Sequence, residues 1–536
     1  MTPDILHQLM KGTATDLIDW TKNLLLDNAK LRRSKGQLKW QGSTEDYVDA
    51  VLNERFSQIP EFVGMKRFKE FTSVSQWTGH LRKDMMRQLV AVLAPLIPKE
   101  HTGAMLYARA VSDFIMLAQY ASHDDNTIGY MEHALYIMDQ TKTAFSDFRP
   151  LHQATQERHF NIPKLHALTH YPYYIREIGS LTGVDVEHGE VMHKLLVKAF
   201  FNRTNKRSNY QEQLLHHNTR YLQMMAMEEL RMLKVTKPLS PADIAEVVHA
   251  TTPTRPVDLT DMDWFINQDD RYAAEEAGIS IKTWRRAYQV ENETGLSGFI
   301  EALAVFLREN RNKQDKASTT NTQMDRREED SSEVGLYFVC IHNSVQCWKR
   351  DGKNLDSMAK EFIRCAYNWQ SQGEWRRDHV WVQEYTQTAT SGQIYPLSGM
   401  LPGKAQLIIT VIDKERLNSQ GRWLRYTGVL VDLLRLKDMG RVNDFHGMIE
   451  VEPWQQSLAK CQRSIGGRRI YDLSLVLRSA HIVPSKLGSE PQSFIINPWV
   501  DFDQFNTLYD KDFLLKGKQA ADKYAKSQSR KRKVCK

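Results

Sequence analysis

The sequence predicts an α+β, multidomain protein in which an N-terminal helical bundle precedes a β-rich C-terminal domain. Three observations predict it. Apolar residues recur at helical spacing from near the start to about position 234. After about residue 334 the period shortens to two, in short runs rich in β-branched and aromatic residues and broken by Gly and Pro. Between them, residues 311–333 carry no apolar period and read as a disordered linker.

The boundaries expected are a helical region over 1–234, a Pro/Thr-rich link and small helical unit over 235–310, the linker 311–333, the β-rich domain 334–510 and a basic tail 511–536. In the first region Leu17, Trp20, Leu24 and Leu25 form one stripe; Val48, Val51, Leu52, Phe56 and Ile59 form another. A third runs through Trp77, Leu81, Met85, Leu89, Val92 and Leu93 and stops before Pro95. Further helices are expected over 104–120, 127–148 and 210–234, all most simply the core of a bundle. In the small unit Ile281, Trp284 and Tyr288 are expected on one element, with Phe299 to Leu307 in the next. Strands are expected at 336–339, 380–382, 406–412 and 426–434, interrupted by one helix over 355–369, and the whole reads as a barrel or sandwich.

Composition narrows the function classes. At 536 residues, 41% hydrophobic and 26% charged, the chain is that of a globular protein of two to four domains. Its net charge of +7 is concentrated: residues 516–536 hold nine Lys or Arg against Asp522, leaving the rest of the chain near neutrality. A basic surface on the folded part is therefore a local patch. The cysteines (Cys340, Cys347, Cys365, Cys461, Cys535) are odd in number and never spaced as CxxC, which argues against a disulfide framework and fits a reducing compartment. Asp4 and His7 interrupt any leader-like apolar run, and the apolar stretch 104–120 carries Arg109 and Asp113 and is short for a bilayer, so a soluble intracellular protein without membrane contact is expected.

Acid, histidine and base are densest between His159 and Tyr221. Within it Glu187, Glu190 and Lys194 fall on one helical face, with Lys198 a turn later. His166 and His170 are four apart but lack an HExxH context, so hydrogen bonding or packing accounts for them better than zinc. The run 202–209 (NRTNKRSN) offers Arg203, Lys206 and Arg207 among amide and hydroxyl donors, a mixture suited to phosphate oxygens. Asp4, after a proline, reads as a helix N-cap or a strand end. Arg530, Lys531, Arg532 and Lys533 form a nuclear-localisation-like or phosphate-anchoring run.

Several stretches resemble one family. TPDILHQLMKG at the start, QWTG at 76–79, PKLHALTHY at 163–171, GSLTG at 179–183, the Glu190-x-x-His193 pair followed by Lys198 and Asn205, QLLxxNxR at 213–220 and RSAHIVP at 478–484 resemble, in order, the Plavaka-type transposases of the Kyakuja-Dileera-Zisupton (KDZ) group of fungal DNA transposons. The resemblance implies an RNase H-like DDE core split by a large helical insertion. It implies that Asp4 is the second catalytic aspartate and Glu190 the glutamate, with Glu187 as the fallback. The family chemistry uses two Mg²⁺ or Mn²⁺ ions, which activate the attacking oxygen and stabilise the leaving one. His7 and His193 would support the acids or donate to phosphates, and Lys194, Lys198, Arg203, Lys206 and Arg207 would track DNA. The family's first aspartate has no counterpart here, so the expectation is an incomplete core that binds metal poorly and neither cuts nor joins DNA alone. A DNA- or chromatin-associated interaction protein is the alternative. Expected partners are DNA and a full-length transposase or a second copy, and the expected location is the nucleus.

Overall fold

The computed structural model of the chain describes residues 3–62, 64–150, 160–235, 265–266, 284–317, 331–351, 354–367, 375–383, 396–417, 423–440, 442–454, 467–486, 493–501, 504–505, 508 and 518–527. Helices make up the first part and a sheet-rich region the second.

A π-helical segment, Ile5–Thr13, runs directly into α1 (Ala14–Ser34); α2 (Thr44–Ser57), α3 (Gly79–Leu93), α4 (Thr102–Ala118) and α5 (Asp125–Thr141) follow. Local chemistry sets their starts. Ser43 and Asp46 form a reciprocal capping box on α2, Asp124 and Thr127 do the same on α5, and Thr78 caps α3. The expected stripes face inward: Leu17, Trp20, Phe56, Met85 and Leu89 are all buried. Helix α4 is buried on every side from Gly103 to Ala118 and is the axis of the bundle. It holds Arg109 and Asp113 within the core. Among the described residues, no helix is long and apolar enough to cross a membrane. Short helices α6 (Pro163–Leu168) and α7 (Tyr171–Ile178) lead to α8 (Val186–Met192), a π-helical segment His193–Lys198, α9 (Ala199–Phe201) and the 26-residue α10 (Tyr210–Val235).

In the second part, strands β1 (Phe265–Ile266) and β2 (Trp284–Arg286) precede helices α11 (Ala287–Thr294) and α12 (Phe299–Ala317). Strands β3 (Phe338–His342), β4 (Ser344–Asp351), β5 (Asn354–Tyr367), β6 (Trp375–Arg377), β7 (His379–Gln383), β8 (Met400–Leu417) and β9 (Trp423–Leu436) come next. Strands β10 (Ile449–Pro453), β11 (Arg468–Asp472), β12 (Val476–Ala480), β13 (Ile482–Pro484) and β14 (Phe494–Ile496) complete the set. Every pairing is antiparallel. The main path is β12-β7-β8-β9-β10-β14-β13, with β11 joined to β9, and β2 and β3 leading onto β8; a second sheet runs β1-β4-β5-β6.

The long pair β8–β9 is apolar on both faces. Leu407, Ile409, Val411 and Leu430 meet Phe299, Leu303, Phe306 and Leu307 of α12. The alternate residues Ile408, Val429 and Val431 meet Val345 of β4 and Ile363 of β5. Period-two alternation thus gives each strand two buried faces, one roofed by a helix and one by a hairpin.

Three expectations give way. Of residues 355–369, expected as a helix, 355–367 belong to strand β5 and the last two lie outside the described residues. Glu361, Ile363 and Cys365 point inward while Phe362 and Arg364 are less buried, and pairing to β4 outweighs the helix propensity of MAKEF. Trp284 and Tyr288 lie on different elements, a strand and a helix, and Ile281 lies outside the described residues. Residues 311–317, expected as linker, continue α12, because Arg311 turns inward to grip the fully buried Asp413 through two hydrogen bonds of 2.7 and 2.6 Å. Within the basic tail, residues 518–527 form a helix whose Ala521 is buried and whose Tyr524 ring lies against Gly103, where a Cβ would collide with it.

The two parts share one core. Met448, Val483, Ile495, Trp499, Val500 and Phe505 belong to the same apolar cluster as the bundle helices. Polar contacts stitch its edge: Arg55 donates to the carbonyls of Ala91 and Pro484, Arg87 to that of Val500, and Asn497 Nδ2 to that of Arg87 at 2.8 Å. His481, inside the RSAHIVP stretch, is at the centre. Its Nδ1 accepts from Asn497 at 3.0 Å and its Nε2 faces the Pro60 carbonyl at 3.4 Å.

Burial holds His481 at a pKa of about 4, with Arg87 pushing the same way, and holds His379 at about 3, with Lys404 and His481 adding to the effect. A base depressed in the folded state stabilises it fully above its unfolded pKa, and the benefit drains away as pH falls from about 6.5 toward the folded value. For His481 the loss by pH 4 is on the order of 3 kcal/mol. Asp378, raised by burial, works in the opposite sense. The urea midpoint is therefore expected to drop between pH 6.5 and 4.5, and His481→Gln to flatten that drop. A wild-type midpoint independent of pH over this range would rule out a neutral buried His481.

Candidate functional site

The opening residues and the α8 segment meet. Asp4 is the N-cap of the first π-helical segment: its Oδ1 accepts from the His7 backbone N–H at 3.0 Å and its Oδ2 lies 2.8 Å from His7 Nδ1. The other imidazole nitrogen, Nε2, lies 3.0 Å from Glu190 Oε1. Lys11 brings its ammonium to the same carboxylate at 3.4 Å. Two acids far apart in sequence are therefore joined through one imidazole ring, and both of its nitrogens can donate only when the ring carries two protons. The cluster is part-open to solvent.

Helical irregularity frames it. The two π-helical segments among the described residues are Ile5–Thr13, which carries His7 and Lys11, and His193–Lys198, which begins three residues after Glu190. A π-turn hydrogen-bonds i to i+5 and so brings residues four or five apart to one side, where His7 and Lys11 both reach Glu190. Glu187, the fallback acid, turns away to an ion pair with Lys83 of α3.

The acid that sequence reasoning missed is Asp185. It caps α8 by accepting from the Glu187 N–H at 3.2 Å. Its carboxyl is raised, first by burial and further by Glu187 and Asp4, while Lys83 opposes. Tyr171 is buried close by; burial pushes its phenol well above the usual range, the Asp4 backbone opposes this, and the charges of Asp4 and Asp185 add to it. The one signal for Asp185 is its place before Val186, where an Asp reads only as a helix cap.

The residues do not fit a metal pair as arranged. Two ions about 3.5–4 Å apart need a shared carboxylate and several anionic oxygens. Here Asp4 and Glu190 lie on opposite sides of an imidazole, and Lys11 already faces Glu190. Among the described residues, no three or more His, Cys, Asp or Glu side chains are grouped to hold a metal ion. What the arrangement can do is hold the Asp4–Lys11 segment to the start of α8 and present cations beside it.

The other candidates divide. His193, Lys194 and Lys198 are exposed on the second π segment, and Arg203, Lys206 and Arg207 are exposed on the loop after α9. That loop is shaped by its own polar groups. Asn205 Oδ1 accepts from Arg207 N–H at 3.0 Å, Gln213 Oε1 accepts from Asn205 N–H at 3.0 Å, and Lys206 takes a left-handed backbone with φ of 59°. Arg203 and Lys206 stand over the rings of Phe200 and Phe201. Among the described residues, none of these five cations is ion-paired. His166 and His170 turn their Nε2 atoms to within 3.3 Å of each other, a hydrogen-bonded pair with no third ligand group among the described residues. Arg530, Lys531, Arg532 and Lys533 lie outside the described residues.

No family model, curated protein or solved structure matches the chain.

Proposed function

We propose that this is a transposon-derived, DNA-binding protein of the DDE-transposase kind, resident in the nucleus, that does not cleave or join DNA on its own. The observation that carries the reading is the convergence of Asp4 and Glu190 on His7. An RNase H-like arrangement of which these acids are two members accounts for that meeting of residues 4 and 190, with the helical bundle as the insertion between them. The same geometry favours binding without catalysis, because the His7 ring fills the space between the two acids and the Lys11 ammonium faces Glu190 where a working site would hold metal ions, and Mg²⁺ or Mn²⁺ is not expected to bind stably here. DNA contact falls to the unpaired exposed cations Lys194, Lys198, Arg203, Lys206 and Arg207, whose flexible heads suit phosphate oxygens and carry no base code.

The test is duplex binding by fluorescence anisotropy across a salt series. Replacing Arg203, Lys206 and Arg207 together by alanine is expected to reduce the slope of log affinity against log salt by about 2–3 and to weaken binding similarly for all sequences. An unchanged slope removes this loop from the interface. With Mg²⁺ or Mn²⁺ the chain is expected to leave supercoiled and terminal-repeat DNA intact; Glu190-dependent nicking would overturn the second half of the proposal.

A further inference from the structure

His166 and His170 stand at the joint between α6 and α7, on backbone that is fixed from beneath. His166 belongs to α6, and His170 is the residue before α7. The Thr169 and His170 N–H groups donate to the carbonyls of His166 and Ala167 at 3.0 and 3.1 Å, and Thr169 Oγ1 donates to the His166 carbonyl at 2.7 Å. Ala167, Leu168 and Tyr171 are buried, which anchors the turn, while His166 is exposed and His170 half-buried. Lys164, the nearest cation in sequence, lies along Gly12.

Among the described residues, each ring's partner is the other. Nε2 lies 3.3 Å from Nε2, the rings are perpendicular, and their centroids are 4.9 Å apart. A proton between the nitrogens accounts for the contact, at a separation just past the usual range of about 2.7–3.2 Å. The same separation is the bite of one tetrahedral ion. Two nitrogens each about 2.0–2.1 Å from Zn²⁺ stand about 3.3 Å from one another. An ion entering there needs no movement of either side chain. The donating ring shifts its proton to Nδ1, so that both Nε2 lone pairs become ligands and both rings stay neutral.

We propose that His166 and His170 chelate a divalent transition-metal ion of the zinc class, which ties α6 to the start of α7. Imidazole nitrogen suits Zn²⁺, Ni²⁺ and Cu²⁺, whereas Mg²⁺ and Mn²⁺ favour oxygen. Two protein ligands leave two tetrahedral positions to water, so the ion is held more weakly than in a four-ligand structural centre. Ala167 stands where an HExxH motif carries its glutamate, so the pair holds an ion without a general base beside it. The site is separate from the Asp4–His7–Glu190 cluster and from the loop 202–209, and it does not depend on DNA binding.

Equilibrium dialysis of the full chain against Zn²⁺, with the bound metal counted by atomic emission, tests it. The expected result is a Zn²⁺ ion whose affinity falls about tenfold or more in His166→Ala and equally in His170→Ala, and which excess Mg²⁺ does not displace. Thr169→His combined with His170→Ala keeps two histidines but moves one of them around the turn, and should bind as weakly as the single variants. In the wild-type chain, Zn²⁺ should shield both rings together from diethyl pyrocarbonate, read by peptide mass mapping, a measurement that needs no variant. Unchanged Zn²⁺ affinity in either alanine variant overturns the proposal, as does full binding by the shifted pair. Labelling of His166 and His170 that Zn²⁺ leaves unaltered overturns it too.

Discussion

Replacing Arg311 by methionine is expected to lower the unfolding free energy by about 3–5 kcal/mol, the usual penalty for leaving one member of a buried ion pair without its partner. Asp413 has no exposed side-chain surface, and the Arg311 guanidinium meets it two-pronged, at 2.7 and 2.6 Å, while also donating to the Tyr337 hydroxyl at 3.0 Å. The loss comes from the stranded carboxylate more than from the attraction removed. Changing both residues, Arg311→Met with Asp413→Leu, should therefore recover most of the stability. Denaturant titration of the two variants and the wild type checks this. A single variant within 1 kcal/mol of wild type would mean that Asp413 finds other donors or water.

Trp499→Ala is expected to cost a similar amount, about 3–5 kcal/mol for the lost side chain, with more from the buried polar contact it abandons. Trp499 is 1% exposed, packs within the cluster shared by the bundle helices and the sheet, and donates from Nε1 to Asp113 Oδ1 at 2.8 Å. Trp499→Phe keeps most of the volume and takes one donor from Asp113, so about 1–3 kcal/mol is expected. The ranking, alanine well below phenylalanine and both below wild type, is read from thermal midpoints. Equal midpoints for the two variants would make the ring's bulk unimportant and the seam far softer than its packing implies.

The helical stripes were legible because each is a local pattern: Leu17 to Leu25 and Met85 to Leu93 repeat within single helices, and burial follows the repeat. Strand β8 was legible for the same reason. What stayed hidden depends on partners distant in sequence. The MAKEF stretch in β5 has helix-forming residues and becomes a strand only through its pairing with β4. Arg311 stands in a charged run that looks solvated until Asp413, about a hundred residues later, is placed beside it.

The candidate site divides in the same way. Asp4 and Glu190 stand out in the sequence through a resemblance, and nothing in spacing alone joins residues 4 and 190. His7 reads in the sequence as a supporting group, and its position between the two acids is a matter of three-dimensional placement. Asp185 is hidden because a helix cap and a site acid look identical in sequence.

The apolar cluster common to bundle and sheet bears on how the protein can be handled. A fragment ending near residue 234 would expose the faces that Trp499, Val500 and Phe505 cover, and a fragment starting near 334 would expose the reverse. Either piece alone presents a sticky wound to solvent. Expression trials with such fragments should yield insoluble material, and co-expressing the two halves should rescue both.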